Sequence, residues 1–386
     1  MRIVIVGTAY PLRGGIAHYV SLLYTTLIRR GHDVKVITFK RQYPKILFPG
    51  KSQDEKGDLL DPIQTEIVID SINPLTWRKA GAIAAQFKPD LILFKYWMPF
   101  FAPAYGVIAR TAKRLTRKQG HECKIAFIAD NVLPHEKRPG DIALTKFAFR
   151  PVDYFIIQSE SVERDLKSVD PDAKFIRLDH PIYEIFGPRI DRVLARKKLS
   201  IPDETPAILF FGYIRKYKGL DILLRAMPKI IENLPEIRLI IAGEFYGDEK
   251  DYHLLIEELM IPAKNLVLAT DYIPNDEVST YFSAANVAVL PYRSATQSGI
   301  VQIAYNFDVP VIATNVGGLA EIVIDKISGL ISHEATPEAI AEKVSAFFLE
   351  SMEQKLTEGV IIEKKKYSWD TFAEGIEKLV ETPHGN

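Results

Sequence analysis

A single cysteine, Cys123, stands in a chain of 386 residues. One thiol forms no internal disulfide, so the fold has to be held by its core, as is usual in a reducing compartment. A catalytic thiol is conceivable, but a lone buried thiol is the stronger reading. No apolar run approaches the roughly 20 residues needed to span a bilayer. Pro11 and Arg13 interrupt the opening MRIVIVGTAY too early for a secretory signal. A cytoplasmic protein is expected. The sequence contains no H-E-x-x-H, no CxxC, no carboxylate–His metal spacing, no G-x-S-x-G elbow and no Walker A loop. These absences leave no resident metal or cofactor to expect and speak against zinc proteases, α/β hydrolases and P-loop enzymes. Repeats, low-complexity tracts and heptads are missing too.

Net charge is zero overall, with 49 basic and 49 acidic residues, yet the sum hides an asymmetry. Residues 1–185 hold 28 Lys and Arg against 20 Asp and Glu, a net of +8, and residues 186–386 carry the opposite −8. A basic half attracts an anionic partner. Hydrophobic residues make up 47% and charged residues 25%, ordinary values for a globular chain. A single core stops growing near 250–300 residues, so about two domains are expected.

Short apolar runs read as buried parallel strands at Ile3–Val6, Val34–Thr38, Leu91–Phe94, Ile125–Ile128 and Tyr154–Ile157. Helical stretches alternate with them at Ile16–Arg30, Trp77–Phe87, Tyr105–Arg117 and Ser161–Ser168, the pattern of a doubly wound sheet. The series restarts with a strand at Ala207–Phe211 and a helix at Leu220–Leu234. Strands at Arg238–Ala242, Leu266–Ala269, Val287–Leu290, Val311–Thr314 and Gly329–Ile331 follow, with helices at Tyr252–Leu259, Gly299–Phe307 and Pro337–Glu350. The expectation is two Rossmann-like domains, 1–185 and 186–368, and a tail helix, 369–386, packing back on the first. The boundary lies around His180–Pro206, marked by Pro181, Pro188 and Pro202 and by the polar, basic run Arg189–Lys198.

Four strand-to-helix turns carry the candidate chemistry, because ligands of open α/β sheets bind at the carboxyl ends of strands. Thr8–Gly15 (TAYPLRGG) puts Gly14 and Gly15 before a helix, where backbone amides approach phosphate; a plain tight turn is equally weighted. Phe211–Gly219 (FGYIRKYKG) gathers Arg215, Lys216 and Lys218 beside a helix start. A diphosphate leaving group needs such fixed positive charge, whereas Lys216 also fits a solvated loop. Pro291–Gly299 (PYRSATQSG) crowds Ser294, Thr296, Gln297 and Ser298 at another helix start, either as caps or as sugar and phosphate contacts. Ala129–Glu136 (ADNVLPHE) places Asp130, Asn131, His135 and Glu136 together, to orient an acceptor hydroxyl or to act as acid and base. Two stretches, Ala109–Lys124 and Phe39–Lys51, combine cations with apolar residues; solvated faces and contacts with anionic lipid are equally weighted readings.

At these motifs the chain resembles the family 4 glycosyltransferases of the GT-B fold, over nearly its whole length. PVIATNVGGLAEIV (Pro310–Val323), FGYIRKYKGLDILLRA (Phe211–Ala226) and NVLPHE (Asn131–Glu136) carry the resemblance in combination. It implies an α/β chain of two Rossmann-like doubly wound domains facing across a cleft. It also implies a retaining, metal-independent sugar transfer from a UDP- or GDP-linked nucleotide sugar, a co-substrate rather than a cofactor. The acceptor, a glycan or lipid-linked molecule, lies against the first domain and the donor against the second. By motif, Gly14 and Gly15 approach the donor phosphates, Lys218 is the diphosphate lysine, and Gly243, Glu244, Tyr272 and Ile273 surround the base. Thr296, Gln297, Ser298 and Gly299 contact the sugar, His135 and Glu136 the acceptor, and Arg215, Lys218 and Asp130 are the catalytic assignments. Tyr213 occupies the family's usual arginine position, and Arg215 supplies that charge. Ala295 and Ile303 stand where the family shows two glutamates, and a subgroup shares the ATQSG segment. Asp130 stands where many members have histidine.

The expected activity serves cell-surface polysaccharide or glycolipid synthesis, with the basic domain at the inner face of the membrane and no nucleic-acid partner. Three alternatives stay open: a nucleotide-sugar epimerase, a non-catalytic GT-B scaffold in a polysaccharide assembly complex, and, more weakly, a dinucleotide-dependent oxidoreductase.

Overall fold

The protein is described by a computed structural model covering residues 1–12, 14–44, 63–133, 138–246, 249–295 and 298–381. His135, Glu136, Thr296, Gln297 and most of Phe39–Lys51 lie outside the described residues. The chain forms two compact units, Met1–Pro181 with Tyr367–Asn386, and Ile182–Lys366. The first division falls four residues before the boundary expected at 185. Tyr183 and Phe186 account for this, because both are buried within the second unit, where their short 3-10 turn packs on a helix. The second division precedes residue 369 by two, since buried Tyr367 joins the first unit.

The first unit is built on a seven-stranded parallel sheet: β1 (Arg2–Val6), β2 (Asp33–Arg41), β3 (Thr65–Asp70), β4 (Leu91–Tyr96), β5 (Lys124–Ala129), β6 (Tyr154–Ile157) and β7 (Phe175–Arg177), in the order β3-β2-β1-β4-β5-β6-β7. Its helices are α1 (Gly15–Arg29), α2 (Pro74–Gln86), α3 (Ala102–Lys118), α4 (Asp141–Phe149) and α5 (Glu160–Val169). The central strands are buried on both faces, which is why they read as unbroken apolar runs. The edge strands β3 and β7 are half exposed, and their polar content hid them from the sequence reading.

The second unit repeats the plan with β8 (Ala207–Phe211), β9 (Arg238–Ala242), β10 (Leu266–Ala269), β11 (Val287–Leu290), β12 (Val311–Thr314) and β13 (Gly329–Ser332), in the order β10-β9-β8-β11-β12-β13, all parallel. Its helices are α6 (Arg192–Lys198), α7 (Leu220–Asn233), α8 (Glu249–Glu258), α9 (Asn275–Ala284), α10 (Gly299–Asn306), α11 (Leu319–Ile322), α12 (Pro337–Leu349) and α13 (Glu353–Glu363). The basic run Arg189–Lys198 is therefore no linker. Asp191 caps α6 by accepting from the Leu194 amide at 3.1 Å. Arg196 on α6 is buried, donating to the Ala284 carbonyl at 3.1 Å and to Asn286 Oδ1 at 2.9 Å. A guanidinium answered by fixed acceptors is tolerated inside a core.

The tail helix α14 (Trp369–Glu381) belongs to the first unit. Trp369 and Phe372 pack edge-on against Tyr19 of α1. Arg30, at the end of α1, forks onto Glu377 with two bonds of 2.8 Å, and the His32 ring lies 2.7 Å from the same carboxylate. Those hydrogen bonds hold the Glu377 carboxyl down at about 2.

Candidate active site

In the second unit, two of the expected turns and the loop after β9 converge at the carboxyl end of the sheet. Gly212 follows β8, and its backbone sits against Gly243, which follows β9. The Ile214 amide donates to the Glu244 carbonyl at 2.9 Å, and Tyr246 returns its amide to Ile214 at 2.9 Å. Gly243 in turn donates to the carbonyl of Ala269 at the end of β10 at 2.8 Å, three residues before the Tyr272–Ile273 segment. From the other side, Arg293 ties the 291–299 loop to the 212–219 loop. Its amide donates to the Tyr217 carbonyl at 2.7 Å, and its guanidinium reaches the Lys216 carbonyl at 2.8 Å and both oxygens of Asp221 at 2.8 and 2.5 Å.

Lys218 sits at the centre of this arrangement. It is 8% exposed, with Nζ 5.9 Å from the centroid of the Tyr292 ring. No carboxylate lies within ion-pairing distance of it among the described residues. Burial, and then the charge of Arg215, pulls its ammonium down to about 7. Arg215 is exposed at the head of the short 3-10 turn Lys216–Lys218, its guanidinium carbon 4.6 Å from the Tyr246 ring centroid. Ser298 caps α10 by accepting from the Ile300 amide at 3.3 Å, and its hydroxyl lies 3.4 Å from that of Tyr292. Gly212, Lys218, Tyr292, Ser298 and Ile300 are thus neighbours.

Gly219 makes that closeness possible. Its φ is +71°, and a Cβ there would collide with the Pro291 carbonyl. Gly219→Ala adds a left-handed penalty to a backbone clash, so a loss of about 2 kcal/mol or more is expected. The midpoint of urea unfolding measures it, and an unchanged midpoint refutes the packing assigned to this turn.

Ala295 and Ile303, the two positions lacking the expected glutamates, are both buried, so neither offers a polar atom to a ligand. Gln302, fully buried on α10, has no hydrogen-bond partner at either amide atom among the described residues. Orphaned buried amides are rare, and the sequence reading passed over this one because a glutamine inside a helix carries no motif.

The first unit gathers a different set of groups at the carboxyl end of its sheet. Gly14 precedes α1 with φ +108°, and α1 has no acidic residue in its first turn. Asp130 follows β5, and its Oδ1 lies 2.5 Å from Nζ of Lys95 on β4. Lys95 is 2% exposed and Asp130 21%. The ammonium also lies 3.4 Å from the centroid of the Tyr19 ring, a cation–π contact in a desolvated setting. Burial pulls Lys95 down and pushes Asp130 up, and the attraction of each for the other opposes both shifts. Gln158, after β6, donates to the Tyr19 hydroxyl at 3.2 Å, while its Oε1 and the hydroxyl of Thr8 are buried without partners among the described residues. His180 stacks edge-on against Tyr19, and burial followed by the Lys95 charge lowers it to about 3, so it stays neutral near pH 7.

The sequence reading singled out Asp130 and missed Lys95, Tyr19, Gln158 and His180. Lys95 left one signal: a cation inside the apolar run LILFKYW, where a doubly covered strand should have none. Cys123 is buried, with its thiol pushed up to about 12, chiefly by desolvation, which is the environment of an inert thiol. No group of three or more His, Cys, Asp or Glu positioned to hold a metal occurs among the described residues.

Residues 191–358 match the model of the family described as Glycosyl transferases group 1. The chain is similar to that family over these residues, which lie within the second unit. It is accordingly an enzyme of the glycosyltransferase class, and the matched stretch contains Arg215, Lys218, Gly243, Glu244, Ser298 and Gly299. An uncharacterized glycosyltransferase of Methanocaldococcus jannaschii is 26% identical, with 97% of this chain and 96% of that protein aligned. The D-inositol 3-phosphate glycosyltransferase of Acidothermus cellulolyticus is also 26% identical, over 94% of this chain and 84% of its own.

Among solved structures, sucrose-phosphate synthase from Thermosynechococcus elongatus superposes with a TM-score of 0.74 at 17% identity, covering 98% of both chains. The Anabaena protein HepE, in complex with UDP-glucose, reaches 0.73 at 15% identity over 98% of this chain and 99% of its own. At such identities the likeness concerns the fold, a pair of parallel-sheet Rossmann-like domains of the GT-B kind.

Proposed function

We propose that this glycosyltransferase moves a sugar, with retention of configuration, from a UDP- or GDP-linked nucleotide sugar to a glycan or lipid-linked acceptor. The process it serves is cell-surface polysaccharide or glycolipid synthesis at the inner face of the membrane. The observation that carries the donor assignment is Lys218, a buried ammonium without a carboxylate partner among the described residues, where the 211–219 and 291–299 turns meet. A diphosphate supplies the missing anion. Arg215 adds a second cation at the same loop, Ser298 and Gly299 open α10 toward the sugar with Thr296 and Gln297, and Gly243, Glu244, Tyr272 and Ile273 take the base. Gly14 and Gly15 add the amino terminus of α1, His135 and Glu136 take the acceptor, and Asp130 is a catalytic assignment beside them.

In the reaction the bond between the anomeric carbon and the diphosphate oxygen breaks, and the acceptor oxygen bonds to that carbon on the same face. The departing diphosphate receives the acceptor proton. Fixed charge on the departing oxygens then supplies most of the rate, with no metal or resident cofactor in the scheme. HepE with UDP-glucose supports a nucleotide-sugar donor by likeness of fold.

Thermal unfolding against a panel of UDP-, GDP- and ADP-sugars tests the donor. One donor should stabilise the protein by about 2.7 kcal/mol at 100 times its Kd. No shift with any member, together with no hydrolysis of any, overturns the reading.

A further inference from the structure

Helix α4 breaks the rule for a surface helix. Its inward side consists of Thr145, Ala148 and Phe149. The side facing solvent is apolar as well: Ile142 is 51% exposed, Leu144 38% and Phe147 37%. At 100° per residue these fall on one broad arc that also holds Ala143, Lys146 and Arg150. A helix that is apolar on all sides is normally buried, and an exposed apolar arc of this kind marks a contact surface.

The surroundings say what kind of contact. Helix α3, against which α4 packs, carries Arg110, Arg114, Arg117 and Lys118, besides Lys113, which is paired with Asp153 at 2.6 Å, and no acidic residue of its own. Arg110 stacks 3.9 Å from the Phe147 ring and donates to the Phe147 carbonyl, joining the two helices. Within α4 the one acid, Asp141, sits in the first turn, away from Lys146 and Arg150. Other helices expose paired apolar residues, Val193 and Leu194 on α6 and Ile361 and Ile362 on α13, the latter just before Lys364–Lys366, but neither shows a third exposed large apolar residue. Only α4 among these combines three large exposed apolar side chains with neighbouring basic residues.

We propose that α4 is the element by which the enzyme seats itself on an anionic lipid surface, Ile142, Leu144 and Phe147 entering the headgroup layer and Lys146, Arg150 and the α3 cations meeting lipid phosphates. The long stems of Lys146 and Arg150 lie over apolar surface while their charged ends reach the headgroups. Chain order gives the arrangement a use. Helix α4 begins eleven residues after Asp130, at the carboxyl end of the first unit's sheet, so a lipid-borne acceptor is held near that edge. The assignment rests on the reading that the acceptor is reached at a membrane face.

Sedimentation of the full chain with phosphatidylcholine vesicles, with and without about one-third phosphatidylglycerol, tests it. Wild type binds the anionic vesicles and leaves the neutral ones. Ile142→Ser with Leu144→Ser lowers the partition constant on the order of tenfold without moving the melting temperature by more than a degree or two. Lys146→Gln with Arg150→Gln lowers it about 25-fold, roughly fivefold per cation. Failure of wild type to bind either vesicle sinks the membrane reading as a whole. Wild-type binding that the Ile142→Ser/Leu144→Ser variant keeps in full overturns the role of α4 alone. Retention of a single-stranded RNA by the same cations, without vesicle binding, makes the surface a nucleic-acid site and also overturns the proposal.

Discussion

Lys218→Ala should lower kcat/KM by on the order of 10²–10³, the range seen when one fixed electrostatic donor is removed from a developing anion. The loss should fall mainly on kcat, because charge builds on the diphosphate as the sugar bond breaks. Lys218→Arg is a sharper variant, keeping the charge but carrying a planar head into a pocket bounded by Tyr292, Ile300 and Gly212. It should recover little. Near-wild-type turnover in Lys218→Ala removes this lysine from the mechanism.

The depressed ammonium adds a pH signature. In the free enzyme Lys218 loses its proton near pH 7, against 10.5 for an ordinary lysine. A bound diphosphate favours the charged form, so binding takes up a proton at pH 8, and affinity falls with a slope approaching tenfold per pH unit above 7. Calorimetry in buffers of different ionisation enthalpy detects that proton. The stability effect has the opposite sign. Between pH 7 and 10.5 the unfolded chain holds the proton that the folded chain has shed, so this group lets stability rise with pH, and its full cost is present below 7. Lys218→Met should therefore raise the melting temperature, and by more at pH 6 than at pH 9.

Much of this was legible because buried parallel strands leave no choice of residue. ILFF, LIIA and VAVL could only be interior strands, and the turns after them follow from that periodicity. Polar edges and tertiary context obscured the rest. β3 reads TEIVID because half of it faces water, and α6 reads as a basic linker because the acceptors that bury Arg196, Ala284 and Asn286, lie about 90 residues away. Lys218 was visible through its motif, but that no carboxylate among the described residues pairs with it was not, since a side chain's neighbours are set only in three dimensions. The pairing of Lys95 with Asp130 was hidden for the converse reason: 35 residues separate two groups that adjacent strands bring to 2.5 Å.

That pair makes the other large prediction. Lys95→Met leaves the Asp130 carboxylate without its counter-charge and Tyr19 without its cation. Breaking a buried pair from one side costs about 3–5 kcal/mol, and the 21% exposure of Asp130 places the expected loss at the lower end. In a domain near 200 residues that corresponds to a fall of roughly 6–12 °C in the melting temperature. Asp130→Asn removes the other charge and leaves a buried ammonium, which can shed its proton, so its cost should be smaller. With both replaced, no buried charge remains, and the double variant should be more stable than Lys95→Met alone. A coupling energy above about 1.5 kcal/mol in the denaturation cycle is the expected result, and simple additivity refutes the pair as a unit. The same three variants separate structure from chemistry. If Asp130 takes an acceptor hydroxyl, Asp130→Asn lowers transfer while nucleotide-sugar affinity holds, and the double variant regains stability without regaining transfer. Were transfer to return with stability, Asp130 would hold the fold and nothing more.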